Sequence, residues 1–97
     1  MATFILLGTY TEQGIKNIKD TIKRKEIVND LAKKAGVTFK DSYWTLGAFD
    51  LVALFEAPDD EAMTAFALSI ARLGNVKTQT LRAFGSADMK KILDKMV

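Results

Sequence analysis

Two short segments carry apolar side chains on both faces of an extended chain, and they constrain the fold more than anything else in the sequence. In Thr3 to Tyr10, the residues Phe4, Leu6 and Gly8 alternate with Ile5, Leu7 and Thr9. In Asp50 to Ala57, the centre Leu51-Val52-Ala53-Leu54-Phe55 is apolar throughout. A strand that is apolar on both faces belongs in the middle of a sheet with both sides covered. Any fold proposed for this chain has to place these two strands centrally.

The remaining segments supply edges and helices. From Ile15 the period lengthens: Ile15, Ile18 and Ile22, then Ile27 or Val28, Leu31 and Ala35, form a helical stripe. The helix has a possible restart and N-cap at Thr21, Lys33 and Lys34 in its last turn, and a stop at Gly36. Val37 to Leu46 reads as a strand, with Phe39, Asp41, Tyr43 and Thr45 on one face and Thr38, Lys40, Ser42, Trp44 and Leu46 on the other. Its polar content suits a sheet edge. Gly47-Ala48-Phe49 connects it as a hairpin to the Asp50 strand.

Pro58-Asp59-Asp60-Glu61 opens a second helix with Asp59 as N-cap, a stripe of Met63, Phe66, Ala67 and Ile70, and a stop at Gly74. Val76 to Phe84 is a fourth strand with Val76, Thr78, Thr80, Arg82 and Phe84 on one face. Ser86 then caps a short last helix with Met89, Ile92, Leu93 and Met96 on one side.

The order β-α-β-β-α-β-α with right-handed crossovers predicts an α+β, ferredoxin-like sheet whose first and third strands are central. Those are the two doubly apolar strands. With 97 residues, the chain is expected to be one domain spanning 1–97. Both long helices would cover one face of the four-stranded antiparallel sheet. The other face would expose a larger apolar patch than monomers normally carry. A homo-oligomer, a dimer or higher, joined sheet against sheet in the manner of a dimeric α+β barrel, would bury it. The competing expectation is that the last helix folds back over that face.

Composition excludes several chemistries. There is no cysteine and no histidine. Disulfides, thiolate nucleophiles, iron–sulfur ligation and the usual imidazole base or metal ligand are therefore absent. No metal and no cofactor are expected. A net charge of +2 predicts no strong attraction to nucleic acid. No apolar run of about 18 residues is present, so no membrane span is expected, and a cytoplasmic location is the default. Lys16, Lys19, Lys23, Arg24 and Lys25 are interspersed with Glu12, Asp20, Glu26 and Asp30, which suits a solvated helix face.

Candidate site residues are few. Asp50, in the Gly47-to-Asp50 turn, is either a base or a bond to local backbone amides. Arg82 either clamps an anion or pairs with Asp50 or Asp41. Tyr43 and Trp44 lie on opposite faces of their strand as substrate walls or as core. Thr78 and Thr80 give the fourth strand an unusually polar face beside Arg82. Gln13 and Asn17, near the start of the first helix, either donate to a ligand or cap. The acidic run at Asp59 is explained by its helix N-terminus without metal. Ligand binding is thus expected of Gln13, Asn17, Trp44, Thr78, Thr80 and Arg82, and any catalysis of Asp50, Arg82 and Tyr43.

Three segments together resemble the GYD family. They are Thr11-Glu12-Gln13-Gly14 with Ile18-Lys19-Asp20, Tyr43 through Asp50, and Leu73 through Phe84, with Glu56 through Ala62 in support. The family's Gly-x-Tyr-Asp turn has Phe49 in place of its tyrosine here. The resemblance implies a ferredoxin-like domain similar to dimeric α/β-barrel proteins. Families of that architecture include cofactor-independent monooxygenases, isomerases, haem-handling enzymes and ligand-sensing domains, and the absence of histidine speaks against the haem branch. The expected function is a homo-oligomeric small-molecule-binding protein with a pocket between the sheet and the first helix or at the subunit seam. A metal-free isomerase or oxygenase and a structural interaction module are the alternatives.

Overall fold

The computed structural model describes residues 1–97. Four strands, β1 (Ala2–Tyr10), β2 (Thr38–Trp44), β3 (Leu51–Ala57) and β4 (Val76–Ala83), form one antiparallel sheet in the order β2-β3-β1-β4. The doubly apolar strands β1 and β3 are central, as the pattern requires.

Four helices complete the chain: α1 (Glu12–Lys16), α2 (Thr21–Ala35), α3 (Asp60–Ala71) and α4 (Ser86–Asp94). The core lies between the sheet and the α2/α3 layer. Phe4, Leu6, Ala53, Phe55 and Ala57 come from the strands, and Ala32, Met63, Phe66 and Ile70 from the helices. Phe55 is its pivot, with ring centroids 4.9 Å from Phe39 and 4.8 Å from Phe66. Asp59 caps α3 as expected, its carboxylate accepting from Ala62 N–H at 2.8 Å. Gly36 closes α2 with a left-handed φ of 74° that other residues avoid.

Several expectations are corrected. The first helix is not one stripe. After α1 the chain passes Asn17 and a 3₁₀ turn at Ile18–Asp20 before α2 restarts. The restart is at Thr21, but Asp20 occupies the N-cap position and Thr21 is the first helical residue. This break shifts the phase, so Ile15, Ile18 and Ile22 are exposed while Val28, Leu31, Ala32 and Ala35 meet the core. At the last helix, Gly85 rather than Ser86 is the N-cap, and its N–H is 3.4 Å from the Asp88 carboxylate.

In β2 a bulge at Lys40 breaks the alternation: Phe39 pairs with Phe55, but Asp41 pairs with Leu54 and Tyr43 with Val52. Phe39, Ser42 and Trp44 therefore face the helices, and Asp41 and Tyr43 face the other way. An inserted residue does this because each step along a strand reverses the side chain.

The second sheet face carries Ile5, Leu7, Val52 and Leu54 at its centre, half-buried, with Tyr43 and Leu81 exposed beside them. The last helix does not fold back over it. α4 has no extensive packing against any other element, and Met89, Ile92, Leu93 and Met96 are exposed. The molecule measures 50 × 31 × 18 Å with a radius of gyration of 14.5 Å. A compact chain of this length would have about 12.5 Å. No helix is long and apolar enough to cross a membrane.

Candidate functional site

The three motifs of the sequence gather at one end of the sheet. At the end of β1, Thr11 accepts from Gly14 N–H at 3.1 Å through its side chain and donates to Gly74 O. The Thr11 N–H donates to Asn75 O at 3.1 Å. The Gln13 amide donates to Leu73 O at 3.0 Å and to Asn75 Oδ1 at 2.9 Å. Gly14 lies so close to Asn75 that a Cβ there would be 2.0 Å from its carbonyl oxygen. The segment before α1 and the loop before β4 are thus clasped together.

The hairpin motif is tied to the same end. Asp50 N–H donates to Gly8 O and Thr45 N–H to Asp50 O, both at 2.8 Å. The Asp50 carboxylate accepts from Tyr10 N–H at 2.8 Å. This carboxylate does bond a backbone amide, but one 40 residues away rather than a local one. Gly47, at φ 124°, supplies the turn.

Beside this end, between the sheet and α2, lies a cleft with a volume of about 90 Å³. Ten of its 14 lining residues are hydrophobic, among them Leu6, Val28, Phe39, Phe55 and Ile70. Its polar groups are few, which is the composition of a ligand pocket. At its rim the Trp44 indole N–H donates to Thr21 Oγ1 at 3.1 Å, and the Tyr10 hydroxyl is 3.2 Å from the same oxygen. Lys25 Nζ stands 5.8 Å from the Trp44 ring centre.

Arg24 is the most unusual side chain of the cleft. Its Nη2 donates to Asn17 O at 2.7 Å and Gly14 O at 3.2 Å, and its guanidinium lies 5.9 Å from the Tyr10 ring centre. Nε and Nη1 are out of reach of solvent and have no acceptor in the chain. No carboxylate forms an ion pair with Arg24. Sequence reasoning missed this residue by assigning it to a solvated face. The readable signal was phase: counted from Thr21 instead of Ile15, residues 24, 28, 31 and 35 fall on one helical stripe.

The expected site residues are not all brought together. Trp44 lines the cleft, while Gln13, Asn17, Thr78, Thr80 and Arg82 do not. Gln13 is engaged in the clasp, and the Asn17 amide donates to Gln13 O at 3.1 Å. Thr78, Thr80 and Arg82 pair with Gly8, Leu6 and Phe4, on the helix-facing side of the β4 edge. Arg82 pairs with neither Asp50 nor Asp41. It donates to the carbonyls of Thr3 and Ala83, and its guanidinium lies 4.6 Å from the Phe84 ring centre and 5.6 Å from that of Phe4. Asp50 bonds Gly8, four residues further along β1, or about 13 Å. Tyr43 borders the cleft at β2, but its hydroxyl is turned to Asp41 on the open side. Asp50, Arg82 and Tyr43 therefore do not converge on one point.

Tyr43 donates to Asp41 Oδ2 at 2.8 Å. That hydrogen bond first, and the negative charge of Asp41 second, raise the phenol above its usual pKa. At neutral pH Tyr43 is a donor, not a base. Its neutral form is the one favoured by folding, so its contribution to stability is present below pH about 10 and is lost as pH rises through the raised value. In a Tyr10→Phe background, which leaves one tyrosine, tyrosinate absorbance is expected to develop at lower pH once Asp41→Asn is added. An unchanged titration would contradict the contact.

The model of the GYD domain matches residues 4–93. This chain belongs to the GYD family. It is 37% identical over 90 residues to a Thermus thermophilus protein described as glutamine synthetase and cystathionine β-lyase binding protein, covering 92% of this chain and 95% of the relative. Among solved structures, TTHA0845 from Thermus thermophilus superposes with a TM-score of 0.58 at 24% identity over 89% of this chain and 96% of that one. MtbAldR superposes with a TM-score of 0.67 at 14% identity over 88% of this chain, which spans only 52% of that structure. These structural likenesses concern the fold. The GYD motifs of this chain have a structural explanation in the clasp and the hairpin tie, and both border the cleft end of the sheet.

Proposed function

We propose that this GYD-domain chain is a homo-oligomeric binding protein that takes a small molecule in the cleft between the sheet and α2. The observation that carries the reading is the cleft itself, an apolar space beside a sheet end held rigid by the clasp and the Asp50 tie. The uncovered sheet face supports assembly, because each large side chain buried there contributes roughly 1.5–3 kcal/mol. The dispersal of Asp50, Arg82 and Tyr43 favours binding over a metal-free isomerase or oxygenase. Native mass spectrometry of gently purified protein tests the reading, with an oligomer carrying a small-molecule adduct as the expected result. A bare chain that also fails to respond to a metabolite extract, in mass or in Trp44 emission, would contradict it.

A second reading, docking on other proteins, is favoured by α4. Its Met89, Ile92, Leu93 and Met96 form an exposed apolar stripe with no extensive packing on the rest of the chain. The Thermus relative is described as binding two enzymes. On this reading Leu93→Asp changes stability by no more than about 0.5 kcal/mol yet abolishes co-precipitation of glutamine synthetase from the same cells. Retained co-precipitation would remove α4 from the docking surface.

A further inference from the structure

We infer that the cleft selects a monocarboxylate with a short apolar body, and that Arg24 receives the carboxylate. The inference rests on the proposal that the cleft binds a small molecule, and it adds the ligand's charge and shape.

Charge comes first. The cleft is lined by two cations, Arg24 and Lys25, and by no carboxylate. Of the guanidinium's five N–H groups, those on Nη2 are directed to the carbonyls of Gly14 and Asn17. The N–H groups of Nε and Nη1 are buried and lack acceptors. A buried donor left unmade costs roughly 1–3 kcal/mol, and more when it is charged. Native chains rarely keep such groups without a reason. The ring of Tyr10 at 5.9 Å offsets part of the charge but accepts no hydrogen bond from these atoms in the chain's own network. Nε and Nη1 have no water-accessible surface, so the guanidinium must turn toward the cleft to meet an anion, which then supplies the missing acceptor through a charge-assisted bond.

Shape and polarity narrow the class. The walls are mainly apolar, from Leu6, Val28, Phe39 and Ile70. A volume of about 90 Å³ suits a body of only a few carbons. A phosphate or a dicarboxylate would put a second negative charge against mainly apolar walls, with only the exposed Lys25 to meet it. One carboxylate on a short aliphatic body satisfies both the guanidinium and the walls.

Trp44 is the only tryptophan of the chain and lines the cleft, so its emission reports occupancy. The test compares isovalerate with isovaleramide, and hexanoate with hexanamide, by titration of Trp44 emission at fixed ionic strength. The acids are expected to bind at least tenfold tighter than their isosteric amides. Because Arg24 also bridges α1 to α2, Arg24→Met is paired with Arg24→Lys, which keeps the charge, and both are checked for folding by urea denaturation. Arg24→Met is expected to erase the acid–amide difference and Arg24→Lys to restore part of it. Equal binding of acids and amides would overturn the inference while leaving the binding cleft in place. No response to either series would overturn the inference, and the metabolite-extract experiment then decides separately whether the cleft binds at all.

Discussion

Leu54→Lys is expected to convert an assembled protein into single chains. Leu54 lies at the centre of the uncovered sheet face, in register with Ile5 on one side and Asp41 on the other. A twofold contact uses the same patch from each copy, so one substitution removes two buried leucines. At roughly 1.5–3 kcal/mol each, the loss is about 3–6 kcal/mol, or a factor of about 10²–10⁴ in the dissociation constant. Two like charges brought together in the interface add to it. The single chain should tolerate the change, because a lysine there faces solvent and lies across from the Asp41 carboxylate. Such a cross-strand pair contributes about 0.2–1 kcal/mol. Sedimentation velocity over a concentration series reads the shift, and urea denaturation checks that each chain still folds. An unchanged association would place the contact elsewhere on the molecule.

Gly14→Ala is expected to cost about 3 kcal/mol, at the upper end of overpacking effects. A Cβ at this position would meet the Asn75 carbonyl oxygen at 2.0 Å, and backbone cannot move aside as a flexible side chain does. Relief requires opening the clasp, which strains the bonds that Thr11 and Gln13 make to residues 73–75. Gly85→Ala is the control. Gly85 has an ordinary extended conformation at φ −75°, and a Cβ there meets nothing within 4 Å. Urea midpoints should separate the two variants clearly. Equal midpoints would mean that the clasp yields without cost.

The fold was legible because burial on both faces is a strong signal. β1 and β3 could be placed at the sheet centre from Phe4 to Leu7 and Leu51 to Phe55 alone. Asp59 and Gly36 marked helix ends through chemistry that acts within a few residues. What was not legible depended on one-residue shifts in phase. The bulge at Lys40 sits in Thr38-Phe39-Lys40-Asp41-Ser42-Tyr43-Trp44, where polar residues occur in both alternations and cannot reveal an insertion. Asn17 and the 3₁₀ turn after it reset the helical phase, and so the isoleucines assigned to the core are exposed while Arg24 turns to the cleft. Asp50 does not bond the local amides expected of it: its carboxylate accepts from Tyr10 N–H, which strand pairing brings from far along the chain. Of the residues that line the cleft, Trp44 was singled out from the sequence, and Arg24 was not.

A single copy of the chain is incomplete on this reading: it has an apolar sheet face without a helix over it, and a last helix without extensive packing on the rest of the chain. Sedimentation equilibrium of the unmodified protein at micromolar concentration tests this most directly. The predicted result is a mass of two or more chains, falling to one chain in Leu54→Lys. A stable single chain across the whole concentration range would contradict it.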